Sequence, residues 1–279
     1  MKMSCSDHMK ILTGLLVGLL VQNSLFSISK RNFDEQYKLL QKKDYKDVEK
    51  YLDANKEALA RDPDYYVILL NYAFQKGTET GLVVAKGKAK KGDLVLSDPE
   101  TKKEEGYIGE RTYTMDKTLI LDSIRATQKA LPDFRDRLDI HFGIVAISGK
   151  IEEWGIVATQ LISVIEISKE NKNRWRWGFV NSMNGEPKEF MFNNIAYRCS
   201  DLFEINTPDS MKAFKDISEA MIKYYPDIIL GWANMGTYYL ANNDLDKAGE
   251  YYNIAIKIDP KDEIVLHNLE YLKKQKQKK

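Results

Sequence analysis

The sequence predicts an all-α fold of antiparallel helix pairs repeated along the chain, with one small β-hairpin-like insertion. Three observations predict it. Pro226 and Pro260 stand 34 residues apart, and six residues after each comes a large apolar residue, Trp232 and Leu266. The same offset from Pro63 gives Leu69 and from Pro132 gives Leu138, while Pro63, Pro226 and Pro260 share an Asn eight residues on: Asn71, Asn234 and Asn268. Between the last two prolines the apolar and small residues recur at helical spacing, which is the primary signal of a packed helix.

Composition agrees with a folded chain. Of 279 residues, 43% are hydrophobic and 30% charged, an ordinary balance for a globular protein. The net charge is +1, and residues 1–29 hold it through Lys2 and Lys10 against Asp7. The remainder is neutral and has no general attraction for nucleic acid or anionic membranes. Tyr leads the aromatics with sixteen residues, suiting a ring that fills a gap between helices while its hydroxyl reaches water.

The first element is a targeting segment, residues 1–29. Lys10 precedes an apolar run from Ile11 to Val21, and small and polar residues follow, ending Ser27-Ile28-Ser29. This is the pattern of a secretory signal peptide. Cleavage is placed after Ser29 or after Ser27; an uncleaved anchor including Leu25 and Phe26, and a start at Met9, are the alternatives. The run is shorter than the about 20 residues a membrane-spanning helix needs, so no span is expected once the signal is removed. Cys5 leaves with it, and Cys199 alone makes no internal disulfide.

Five helix pairs and a cap follow over residues 30–279. The first covers Phe33 to Asp62, turning at Lys43-Asp44-Tyr45. The second begins at Tyr65, is interrupted, and resumes from Asp116 to Leu131. The third is Phe134 to Ser168, turning at Ser148-Gly149-Lys150. The fourth is Phe190 to Tyr225, turning at Asn206 to Asp209, and the fifth is Ile228 to Asp259, turning at Asn242-Asn243-Asp244. The cap starts near Glu263, with Leu266, Leu269 and Leu272 facing inward.

The fifth pair carries the most specific pattern. Trp232, Met235, Gly236 and Tyr239 lie at i, i+3, i+4 and i+7, one face of a helix, and Ala248, Tyr252 and Ala255 form the facing stripe, with Pro260 closing the unit. This resembles the tetratricopeptide repeat, whose pattern places Trp, Leu-Gly, Tyr, Ala, Phe or Tyr, Ala and Pro over about 34 residues. The resemblance extends over residues 33–76, 116–168 and 190–274 and implies a right-handed α-solenoid in one continuous domain. It also implies an exported bacterial scaffold that binds a protein or peptide segment in the concave groove lined by the first helices. Asn71, Asn234 and Tyr238 are the candidates there, since an Asn can bond a ligand's backbone amide in two places. The same Asn could instead bridge neighbouring helices.

Two interruptions break the frame. Residues 77–115 are rich in Gly and Lys, with β-rich runs at Leu82-Val83-Val84, Leu94-Val95-Leu96 and Tyr107-Ile108. They read as a solvated hairpin or small sheet, or as an arm that grips a partner. Residues 169–189 include Arg174-Trp175-Arg176-Trp177-Gly178-Phe179. In an extended segment the three aromatics share one face and the two arginines the other, and these residue types dominate binding hot spots. Either the loop folds back and buries its rings, or it binds a partner, a small ligand or a glycan.

Chemistry is hard to place. His8 leaves with the signal, His141 falls on a packing face and His267 on the cap, and no His/Cys set has metal spacing. There is no phosphate-cradling glycine loop, nucleophile elbow or zinc-protease motif. The chain is therefore read as a non-catalytic scaffold without metal or cofactor, with a small-ligand or glycan module as the alternative and an enzyme behind both. Its expected location is the periplasm, by analogy with envelope scaffolds, or outside the cell.

Overall fold

The computed structural model describes residues 28–87, 89, 92–179 and 185–277. The predicted leader lies outside the described residues except for Ile28 and Ser29. The described chain is mostly helical with one small antiparallel sheet, and it divides into two compact units, the first ending at Phe134 and the second beginning at Arg135.

In the first unit, α1 (Lys30–Gln41) starts at Ser29, whose hydroxyl accepts the Asn32 N–H. It buries Phe33, Gln36 and Leu40, one helical stripe, and α2 (Tyr45–Asn55) buries Val48 and Leu52. The central element is α3 (Pro63–Lys76). Pro63 takes its first position, where the missing N–H costs nothing, and Asp62 caps it by accepting the Asp64 N–H at 2.8 Å. It packs against α1, α2 and α4 (Lys117–Ala130), which is why it is apolar on several sides. A 3₁₀ turn, Leu131–Phe134, ends the unit with Phe134 set against Tyr66.

The insertion between α3 and α4 is a three-stranded sheet rather than a plain hairpin. β1 (Thr78–Ala85) and β2 (Leu94–Ser97) both pair antiparallel with a central β3 (Glu104–Met115), in the order β1-β3-β2. The insertion closes at its base: the Asp116 N–H bonds the Gly77 carbonyl at 2.7 Å. Helices α3 and α4 consequently pack as neighbours in spite of the residues between them. Asp93, just ahead of β2, lies over Gly109, where a Cβ would stand 2.0 Å from its Oδ1, and it pairs with Arg111 at 2.6 Å.

The second unit holds α5 (Leu138–Lys150), α6 (Trp154–Glu170), α7 (Pro187–Ile205), α8 (Pro208–Tyr224), α9 (Ile229–Ala241), α10 (Leu245–Ile258) and α11 (Glu263–Lys276). Within it α5 packs on α6, α6 on α8, α7 on α8, α8 on α9, α9 on α10 and α10 on α11. Its larger core centres on Leu138, Leu161, Ile165, Ile195 and Ile217, and a smaller one on Ala248, Tyr252, Ala255 and Val265. Thr207 and Ser210 form a reciprocal cap at the start of α8.

Three of the turns between helices share one geometry, which the end of α6 repeats at Lys172 (φ 56°), where the Asn173 N–H bonds the Ser168 carbonyl at 2.8 Å. At the ends of α1, α5 and α9 the chain enters the left-handed region at Lys43, Glu152 and Asn243, with φ of 58°, 62° and 58°. The next residue then bonds the carbonyl five positions back: Asp44 to Leu39, Glu153 to Ser148 and Asp244 to Tyr239, each at 2.9 Å. That long backward bond is the helix-terminating motif in which a left-handed residue lets the chain satisfy an orphan carbonyl.

Two expectations need correction. The turn placed at Ser148-Gly149-Lys150 lies three residues later, because Gly149 stays helical and the left-handed residue is Glu152. In α11 the inward stripe is Val265, Leu269 and Leu272, whereas Leu266 is 43% exposed. Residues 265, 269 and 272 share a face at helical spacing, and position 266 is rotated about 100° away from it.

Candidate functional site

The most exposed apolar surface in the first unit is one face of the sheet. Leu82 and Val84 alternate along β1, and the register sets Val84 beside Ile108 and Ile108 beside Leu94. Because successive side chains on a strand point to opposite faces, Leu82, Val84, Ile108 and Leu94 form one contiguous patch. Leu82, Val84 and Leu94 are 75%, 69% and 67% exposed. The opposite face carries Tyr107 beneath the Arg111 guanidinium, 4.6 Å from its ring centroid, together with the Asp93–Arg111 ion pair. The two faces differ: one is crossed by the Asp93–Arg111 pair and exposes Val95 at 46%, and the other carries the more exposed Leu82, Val84 and Leu94, with Glu110 opposite Leu82. Contiguous exposed apolar surface of this kind marks sites of association.

The first unit also contains a pocket of about 490 Å³ among α2, α3 and α4. Tyr65, Tyr66 and Tyr72 line it, together with the carboxylates of Glu49, Asp53, Glu57 and Asp122 and the ammonium of Lys56. The Tyr65 hydroxyl donates to the Leu52 carbonyl at 3.3 Å and the Tyr66 hydroxyl to the Ala60 carbonyl at 2.9 Å. Burial pushes the Tyr65 hydroxyl up to about 12, so it stays a neutral donor. Lys76 reaches both Glu49 (2.9 Å) and the Tyr72 hydroxyl (2.7 Å), and its hydrogen bond holds the Glu49 carboxyl below its usual range.

The aromatic loop of the second unit folds back on its own neighbours. The Arg176 N–H bonds the Asp136 carbonyl at 2.8 Å, the Leu138 N–H bonds the Arg176 carbonyl at 3.1 Å, and the Arg176 guanidinium grips the Asp136 carboxylate at 2.6 and 2.7 Å. This two-sided clasp fixes the segment, and the alternation of extended chain then does the rest. Trp175 is 7% exposed with its ring edge-on to His141, and Trp177 packs edge-on to Phe190 at 5.1 Å. Arg174 bonds the Asn171 carbonyl, and Phe179 is 43% exposed.

The three Asn residues that share an offset from proline find three different environments. The Asn71 amide donates back to the Val67 carbonyl of its own helix at 2.8 Å, Asn234 faces the Cys199 thiol, and the Asn268 amide donates to the Tyr252 hydroxyl at 3.0 Å. Tyr238 lines a second pocket, of about 730 Å³, between the start of α8 and the end of α9, beside Lys212, Lys215 and Asn242. Neither pocket is lined by Asn71, Asn234 or the aromatic loop.

His141 is fully buried. Its Nε2–H donates to the Arg135 carbonyl at 2.9 Å and its Nδ1 accepts from the Gln160 amide at 2.5 Å, which fixes the neutral tautomer. Burial lowers it to about 4. Cys199 is buried too, and burial pushes its thiol up to about 12, against the opposing influence of the neighbouring Asn234. Neither group is placed as an acid, base or nucleophile. Among the described residues no three His, Cys, Asp or Glu side chains are grouped to hold a metal ion, and no helix is long and apolar enough to cross a membrane.

No protein-family model and no curated protein sequence matches this chain.

Proposed function

We propose that this protein is an exported helical-repeat scaffold of the tetratricopeptide type that holds a protein partner against the apolar face of its inserted sheet. The carrying observation is the exposure of Leu82, Val84 and Leu94 on one face of the sheet, with Ile108 of the central strand between Val84 and Leu94. Branched apolar side chains on a pleated surface are suited to burial by an extended or helical segment, each contributing about 1.5–3 kcal/mol when fully covered. The repeat reading is supported by the 34-residue spacing of Pro226 and Pro260 and by the close seat of Tyr252 on Gly236. Export and a periplasmic setting rest on the residues before Ile28 and on the analogy drawn from the repeat.

The test is in-cell crosslinking of the whole chain against a variant in which Gly77 is joined directly to Asp116. The 2.7 Å bond between these two residues makes that junction geometrically mild. A defined partner captured by the whole chain and lost from the shortened one supports the reading; capture that is unchanged, with helical content intact, rejects it.

A second reading is a small-ligand module. The observation favouring it is the pocket of the first unit lined by three tyrosines, four carboxylates and Lys56, a setting for a hydroxylated or cationic ligand. Calorimetric titration with such ligands, repeated on Tyr66→Leu, distinguishes it from a protein scaffold.

A further inference from the structure

Ile28 and Ser29 are working parts of the folded first unit. Ile28 is 5% exposed, and its backbone nitrogen lies 2.5 Å from Oδ2 of Asp62, itself 4% exposed. The other carboxylate oxygen of Asp62 accepts the Asp64 N–H at the start of α3. Ser29 caps α1 twice: its hydroxyl accepts from Asn32 at 3.2 Å and its carbonyl from Phe33 at 3.0 Å.

We propose that the leader is removed by hydrolysis of the Ser27–Ile28 bond, and that the α-ammonium freed on Ile28 forms a buried ion pair with Asp62. The proposal rests on the reading of the preceding residues as a leader. Ser27 and Ser29 are both small enough to stand on the acyl side of a leader-peptidase cut. The rule of small residues two apart favours the later site, because Ser29 is preceded at two residues by Ser27, while Ser27 is preceded at two residues by Leu25. The folded state argues the other way. A cut after Ser29 deletes a buried apolar side chain and the α1 cap, and it leaves a buried carboxylate oxygen without the donor that faces it. Each of these losses is destabilising, the last because an unpaired buried charge is expensive.

A cut after Ser27 removes none of these groups. Water adds across the amide, leaving a carboxylate on Ser27 and an amine on Ile28. An α-amine has a pKa near 8, so at neutral pH it is chiefly the ammonium. The neutral N–H that now faces Asp62 becomes a charged donor at the same place, which strengthens the bond and gives the buried carboxylate a counter-charge. The processing partner is a peptidase that accepts Ser before the scissile bond and a β-branched residue after it. The consequence is an N-terminus locked into the fold, joining the entry of α1 to the cap of α3.

The experiment is to express the full chain in an exporting host and read the N-terminus of the mature protein by sequencing and intact mass. A chain beginning at Ile28 is expected. A chain beginning at Lys30 overturns the proposal while leaving export standing, and a retained Met1 or Met9 overturns both. The pairing is tested separately with chains beginning at Ile28, with and without one added N-terminal Gly, each also carrying Asp62→Asn. The added Gly is expected to lower the thermal midpoint by roughly 3 °C when Asp62 is present and to have no effect in the D62N background. An equal response in both backgrounds overturns the ion pair.

Discussion

The Tyr252 ring rests on the Cα of Gly236 so closely that a Cβ at that position would stand 2.5 Å from ring Cδ1. Tyr252 is fully buried, with its hydroxyl bonded to Thr237 and Asn268, so the ring cannot swing aside. The sequence frame asks for a glycine here because the second helix of the pair must approach the first, and the packing supplies the reason.

Gly236→Ala sets two effects against each other. Alanine raises helix propensity by about 0.5–1 kcal/mol, while overpacking costs about 1–3 kcal/mol. With the ring pinned, the steric term wins, and urea unfolding is expected to show a net loss of roughly 1–2 kcal/mol. Gly155→Ala is the control, since a Cβ there meets nothing within 4 Å. It is expected to be neutral or mildly stabilising.

The turn after α5 offers the opposite sign. Glu152 holds φ of +62° without the freedom of glycine. Glu152→Gly relieves a left-handed conformation that costs a non-glycine residue about 1 kcal/mol, and stability is expected to rise by up to that amount. A loss of stability in urea unfolding would show that the Glu152 side chain contributes more than its backbone strain costs.

His141 gives a pH signature. Its folded pKa is lowered to about 4 by burial, whereas an unfolded histidine titrates near 6.5. Between those values the unfolded chain binds a proton that the folded chain refuses. Stability is therefore full above pH ~6.5, falls as pH drops toward ~4, and gains no further slope from this group below that. The loss is on the order of 3 kcal/mol. In His141→Gln this component of the slope is expected to vanish when unfolding free energy is compared across pH 4–7; identical slopes in both proteins would refute the assignment.

Cys199 is expected to resist alkylation. Burial raises its thiol to about 12 and keeps solvent away, so neither thiolate nor access is provided. In a chain beginning at Ile28, mass spectrometry after iodoacetamide is expected to find the native protein unmodified and the urea-unfolded protein fully labelled. Labelling of the native protein at a comparable rate would mean that the α7 core opens locally.

Much of the helical framework was legible because it is local. Pro226, Pro260, the Asn242-Asn243-Asp244 turn and the stripe Ala248, Tyr252, Ala255 delimit α9 and α10 to within a residue or two, and Trp232 even bonds back to the Pro226 carbonyl at 2.9 Å. The buried placement of Cys199 and His141 followed from the same periodicity. What was not legible depends on distant pairing. No short pattern shows that Arg176 clasps Asp136, forty residues earlier, and that clasp is what turns Trp175 inward. The tyrosine pocket likewise needs α4 to return to α3 across the insertion, at whose base Asp116 bonds Gly77. Leu266 was misplaced because an offset counted from Pro260 ignored the local face, which Val265 and Leu272 define.

The claim at the centre of this account is that the open face of the inserted sheet binds the partner, and it is tested most directly by site-specific photo-crosslinking. A photoreactive residue is placed at position 84, on the open face, or at position 83, on the opposite one, and the chain is irradiated in the cell. The account predicts a defined adduct from position 84 that is weak or absent from position 83. No adduct from 84, or equal adducts from both, would contradict it.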